Sequence, residues 1–379
     1  MNYETCLNKI YGWCGNWLNN KFGWSFRLPE IVTHLISMLI IMVAMLAFLA
    51  ITVIVLIWLE RKISARIQNR LGPMMAGPKW MARLSMWTGG WVQVPLDALK
   101  LLLKEDIVNK RADRIGFFVA PFICMMSAFM TYMVIPFSRG LVAQDLNIGV
   151  LYLVAASSFM VIAILLAGCS SGNKYSLVGG LRSASQIISY EVPMLFGLIT
   201  PVMLAGSMSM VDIVEAQKQC WFIIPQIVAF LIFFIAGTAE INRTPFDLPE
   251  AEQELVAGFA TEFSGMRFAM FFLAEYSNVF ILSAITTTLF LGGWLLPAGL
   301  QAYIPSVLNL GSFSLPHFDI LVGAIVFFFK TYILVSLIMW FRWTYPRIRV
   351  DHLLNLGWKV LVPVGFINML ITGIWFLKR

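Results

Sequence analysis

Carboxylates crowd the stretch between Glu240 and Glu262 of a chain that is otherwise basic. Six of them (Glu240, Asp247, Glu250, Glu252, Glu254 and Glu262) stand against one cation, Arg243, while the whole protein carries a formal net charge of +7. Two further glutamates, Glu191 and Glu275, interrupt strongly apolar segments. An ionisable side chain at the centre of a membrane span costs at least about 2.5 kcal/mol unless it is paired, hydrated or neutral. A glutamate can meet that condition by holding a proton, and can exchange the proton when a nearby charge or conformation changes. That is the chemistry of a proton relay, and Glu191, Glu240 and Glu275 are its candidates. The bland alternative is an interhelical hydrogen bond made by a permanently protonated acid. Lys330, also within an apolar run, offers either a counter-charge or a structural ion pair.

The local structure of the acidic stretch follows from its prolines. Pro245 ends the preceding helix, and Asp247 before Leu248-Pro249-Glu250 reads as an N-cap with proline in the first turn. The short helix predicted there would place Glu250 and Glu254 one turn apart, a like-charge pair that weakens an isolated helix. A cationic partner, water or protons must compensate it; a solvated acidic loop is the other solution.

The elements that must hold these residues are membrane spans. Hydrophobic residues make up 59% of the 379 and charged residues 12%, with a mean hydropathy of +0.80. A soluble domain carries about 25% charge, so the composition predicts an all-α polytopic membrane protein. Uncharged runs at 36–59, 116–137, 148–172, 221–239 and 360–377 are span candidates. Three more spans carry one ionisable residue each, at Glu191, Glu275 and Lys330, which makes eight transmembrane helices. Pro193, Gly197 and Pro201 predict a kink or break in the fourth. Residues 1–35, with Trp13, Trp17 and Trp24, read as an interfacial segment or a tail, and 36–379 as one eight-helix domain. The first span should stop at Glu60-Arg61-Lys62. Residues 92–103, with Asp97 and Lys100 on neighbouring turns, read as an amphipathic loop helix. Odd-numbered loops hold nineteen Lys and Arg against two in the even-numbered ones, which puts the former in the cytoplasm and both termini outside. The basic first loop and the acidic third loop then share a face.

Five scattered cysteines and three histidines, without a Cys-x-x-Cys pair, argue against an iron–sulfur, haem or zinc site. No glycine loop has the pattern of a phosphate cradle. Helix-breaking prolines, amphipathic segments and opposed charges beside the bilayer could build a cleft open to lipid. Such a cleft suits an amphiphile with a polar head; from this pattern alone it could be a quinone, a lipid or a drug.

The run Glu240-Ile241-Asn242-Arg243-Thr244-Pro245-Phe246-Asp247-Leu248-Pro249-Glu250-Ala251-Glu252, continuing to Glu262, resembles the most diagnostic motif of the H subunit of NADH:quinone oxidoreductase, respiratory complex I, the counterpart of mitochondrial subunit 1. Trp58-Leu59-Glu60-Arg61-Lys62, Asp97-Ala98-Leu99-Lys100, Ser189-Tyr190-Glu191, Phe271 through Tyr276, and Arg342 through Asp351 match in order, so the resemblance covers nearly everything after residue 36. It implies eight helices at the heel of a membrane arm and a proton-pumping enzyme in which this chain forms much of the quinone chamber. Glu60, Arg61, Asp97 and Lys100 then border the chamber entrance. Arg243, Asp247, Glu250, Glu252, Glu254 and Glu262 belong to the quinone-side acidic loop, and Glu191, Glu240 and Glu275 to the proton path. Implied too are quinone as substrate, flavin and iron–sulfur clusters confined to partner subunits, no metal in this chain, and other membrane and peripheral-arm subunits and lipid as partners. Nucleic acid is not expected, and the place would be a bacterial inner membrane. Residues 79–89 form an insertion relative to the family pattern, beside that entrance. The related reading is the membrane anchor of a membrane-bound hydrogenase or formate hydrogenlyase. A secondary transporter would tend to show internal repeats, and none is convincing here.

Overall fold

A computed structural model describes residues 30–74, 85, 86, 89–248, 256–297, 307–310, 313–316 and 318–377. The expected interfacial segment therefore lies almost wholly outside the described residues, as do Glu250, Glu252, Glu254 and most of the insertion at 79–89.

In order, the helices are α1 (Glu30–Ile67), α2 (Gln93–Leu103), α3 (Arg114–Tyr132), α4 (Gly149–Ser170), α5 (Lys174–Ala205) and α6 (Met210–Ala216). They continue with α7 (Ile227–Glu240), α8 (Gly265–Phe290), α9 (Phe318–Thr344), α10 (Val350–Asn355) and α11 (Val362–Leu377). A 3-10 turn at Gly258–Ala260 precedes α8, and a π-helical turn at Leu356–Leu361 joins α10 to α11. Helices dominate because a backbone within lipid must satisfy its own hydrogen bonds. Seven spans among the described residues are long and apolar enough to cross a membrane, the last running Val350–Leu377. The expected fifth span is the shorter α7, whose 14 residues rise about 21 Å. It is apolar but does not by itself cover a core of about 30 Å.

Two expectations need correction. The first helix does not stop at Glu60-Arg61-Lys62 but runs on to Ile67, so its charged end is a helical extension of the span. The fourth span is one unbroken helix through Pro193 and Pro201, its C-terminus closed by Gly206 in the left-handed conformation. Packing on both sides against α4 and α7 holds it continuous. A short antiparallel hairpin, β1 (Val307–Leu310) paired with β2 (Phe313–Pro316), lies in the connection between α8 and α9 of this all-α membrane architecture.

Side chains pack on both sides of α8. Phe48 of α1, Tyr132 of α3, Phe280 of α8 and Phe328 of α9 meet with ring centroids 5.7–6.1 Å apart. Close approach elsewhere depends on glycine. A Cβ on Gly180 of α5 would lie 3.1 Å from Cα of Gly168 on α4, and one on Gly179 would lie 2.7 Å from Cα of Gly258. The loop after the acidic stretch is thereby seated directly on the backbone of α5.

Candidate functional site

Arg243 stands in the turn just after α7, 3% exposed. Asn242 before it takes the left-handed conformation at φ 56°, which asparagine tolerates better than most residues. The turn is stapled from behind by Gln186 of α5, buried, whose amide donates to the carbonyls of Ala239 (2.8 Å) and Phe246 (2.7 Å). Asn242 in turn donates to Ser183, 2.8 Å away. Held this way, the guanidinium of Arg243 lies 3.4 Å from Glu60 of α1 and 3.0 Å from Glu275 of α8, and 4.4 Å above the ring of Tyr276. The contact with Glu275 is an ion pair without hydrogen-bond alignment, and Nε of Arg243 has no partner among the described residues. Burial works against the charge of Arg243, but Glu275 and Glu60 outweigh it and hold its pKa above the ordinary arginine value. Glu60 also accepts from Arg342 of α9 at 2.6 Å. Two carboxylates and two guanidinia from four separate segments thus form one charge-balanced cluster, where a lone charge would be far costlier.

Around this centre the other expected residues divide. Arg61 pairs with Asp97 of α2 at 2.7 Å, and Gln93 also donates to Asp97. Both Arg61 and Asp97 are partly exposed, and Lys100 is exposed on the following turn. Asp247 meets Arg347 at 3.2 Å, so its cation comes from the last loop and not from the basic first one. Glu262 accepts from Asn173 at 2.6 Å, and Glu191 accepts from Ser158 of α4 at 2.8 Å. Lys330 is not a counter-charge for the glutamates. Its ammonium donates to the carbonyls of Leu291, Gly293 and Leu295, at 2.7, 3.0 and 2.6 Å, and lies 4.3 Å from the centre of the Trp221 ring. It closes the far end of α8, where backbone acceptors have no helical donor.

Two cavities meet at Glu240. The larger, about 220 Å³, is walled by Phe259, Phe268, Phe271 and Phe272 and opens on Glu240, Glu275 and Arg342. The smaller, about 70 Å³, extends from Glu240 towards Ser127, Thr131 and Ser157. Met160, Glu240, Ile241 and Asn278 face both. An aromatic wall with a carboxylate and a guanidinium at one side suits a planar, partly polar ring, and the shared carboxylate can pass a proton from one space to the other. Gln186 and Asn278 were not among the residues singled out from sequence. Each is an amide inside an apolar run, the one signal by which it could have been found. Among the described residues, no three His, Cys, Asp or Glu side chains come together as metal ligands do.

Comparison with known proteins agrees with this architecture. Residues 39–373 match the family described as NADH dehydrogenase. The chain is 43% identical over 351 residues to the NADH-quinone oxidoreductase H subunit of Phocaeicola vulgatus, covering 92% of this chain and 93% of that one. Its counterpart in Bacteroides fragilis is 45% identical over 348 residues, with 91% and 92% covered. That of Carboxydothermus hydrogenoformans is 45% identical over 357 residues, with 94% and 93% covered.

Proposed function

The chain belongs to the family of NADH-quinone oxidoreductase H subunits and is a multi-pass membrane subunit of that enzyme complex; from this premise we propose that it forms much of the quinone chamber and carries the first steps of proton coupling. Arg61, Asp97 and Lys100 border the entrance at the membrane edge, with Glu60 at the buried end of the same helix. The quinone head enters the aromatic cavity beside Glu275 and Arg342. Arg243, Asp247 and Glu262 hold the loop that closes it. The carrying observation is that Glu240 faces both cavities while Glu275 faces the larger one.

Reduction of a quinone to a quinol takes up two electrons, delivered by clusters in partner subunits, and two protons. That demand changes the charge beside Glu275 and Arg243, and Glu240 is the carboxylate in position to answer it. Glu191, through Ser158, stands next to Ser157 on the wall of the smaller cavity and continues the path. Loop charge supports an entrance on the cytoplasmic side of a bacterial inner membrane, with both termini outside.

The test is Glu240→Gln and Glu275→Gln in the assembled complex, in vesicles, with quinone reduction and proton pumping both measured. Glutamine keeps shape and hydrogen bonding but not the exchangeable proton. Both activities should fall together by about tenfold or more. Wild-type values for both variants would make these acids structural.

A further inference from the structure

Of the side chains that face both cavities, two are polar: Glu240 and Asn278. Asn278 stands on α8 three residues past Glu275, so the two share a helix face. The hydroxyls of α8 are turned back onto their own helix. Ser277, Ser283, Thr286 and Thr287 donate to the carbonyls of Leu273, Val279, Leu282 and Ser283, at 2.6–2.9 Å. The amide of Asn278 makes no such bond among the described residues, although it is partly buried.

The chemistry of the smaller cavity gives this free amide its meaning. Ser127, Thr131 and Ser157 line that space, yet each has committed its proton, to the carbonyls of Ala156 (2.8 Å), Ala128 (2.7 Å) and Val154 (3.0 Å). Their oxygens remain as acceptors only. A carboxylate at Glu240 is an acceptor as well. Among acceptors alone every water can turn its hydrogens to the wall, so a fixed donor is what sets the direction of a chain, and the NH₂ of Asn278 is the uncommitted amide donor there. The cavity, about 70 Å³, is large enough for several waters, each of which needs about 10–15 Å³ on the same measure.

We propose that Asn278 is a positioning residue of the proton path, presenting its amide to water that links Glu275 to Glu240 and Glu240 to the smaller cavity. This rests on the reading of Glu240 and Glu275 as proton-exchanging acids. The amide itself gives up no proton; it orients water, which passes one on and takes another. The other titratable or charged groups facing the joined space are Glu240 from α7, Glu275 from α8 and Arg342 from α9.

The experiment uses the assembled complex in vesicles and compares Asn278→Leu, Asn278→Asp and Glu240→Gln. Leucine fills the same space without a donor, so turnover and pumping should fall together by about tenfold or more. Aspartate can donate only while protonated, so it should recover much of the rate at low pH and lose it as pH rises, adding a limb to the pH–rate profile that a structural asparagine would not give. A leucine variant within about twofold of wild type overturns the proposal. If that variant does not assemble, the aspartate variant decides, and a wild-type pH profile overturns the proposal. An inactive Glu240→Gln beside a fully active Asn278→Leu would remove Asn278 alone, whereas a fully active Glu240→Gln would remove the path on which it depends.

Discussion

Arg243→Met gives the sharpest test of the charge cluster. Methionine keeps much of the length and packing but deletes the cation between Glu60 and Glu275. Glu60 still has Arg342 at 2.6 Å, whereas Glu275 loses its ion pair at 3.0 Å. At an effective dielectric of about 20, one contact at that distance is worth about 5 kcal/mol before desolvation is counted. Breaking one side of a buried pair costs about 3–5 kcal/mol net, a large share of the 5–15 kcal/mol, roughly, that holds a domain folded. The assay is the amount and heat resistance of assembled complex, counted by electron transfer from the peripheral arm to an artificial acceptor. The variant should lose about tenfold or more of its assembled complex. Adding Glu275→Gln removes the stranded charge and should recover much of it, with a coupling of about 1.4 kcal/mol or more, equivalent to tenfold. Wild-type abundance and heat resistance of Arg243→Met would refute the reasoning, as would a double variant no better than the single one.

Three further outcomes are expected. Arg61→Ala should mainly raise the apparent KM for short-tailed quinones if Arg61 and its partner Asp97, both partly exposed, border the entrance as proposed; an equal loss of electron transfer to a peripheral-arm acceptor would indicate an assembly defect instead. Gly179→Ala sets a Cβ 2.7 Å from the Gly258 backbone, an overpacking worth about 1–3 kcal/mol, and should speed proteolysis of the 240–262 loop; unchanged cleavage would contradict the seating of that loop on α5. Single cysteines at Lys104 and Met208, both exposed, should react with an impermeant reagent from opposite sides of the membrane, and labelling from one side would sink the orientation.

Much of this was legible in the chain itself. Spans announce themselves by length and hydropathy, and an acid inside one is rare enough to notice, so Glu191 and Glu275 stood out. Pairing was not legible. Glu60 and Arg243 are 183 residues apart, and Glu60 and Arg342 are 282 apart, so nothing local ties them. That the first and third loops share a face does not say which charges meet: Arg243 reaches Glu60 at the end of the first span, and Asp247 meets Arg347 from the last loop. Lys330 misled for a related reason. A buried ammonium suggests a carboxylate, yet three backbone carbonyls at a helix end serve it equally well. Pro193 and Pro201 do not break α5, because neighbouring helices and local backbone adjustment satisfy the groups a proline frees, which periodicity does not see. Gln186 and Asn278 carry no charge, and single amides in apolar runs were passed over.

The contact between Gly179 and Gly258 has a mechanical consequence. With no side chain at either position, loop and helix meet backbone to backbone, and there is no rotamer between them to absorb a displacement. Gly179 and Glu191 lie on the same continuous helix, twelve residues and about 18 Å apart along its axis. A displacement of the Gly258 backbone is therefore passed directly to the helix that bears Glu191. The interior of the bundle can register movement of that loop through displacement as well as through charge.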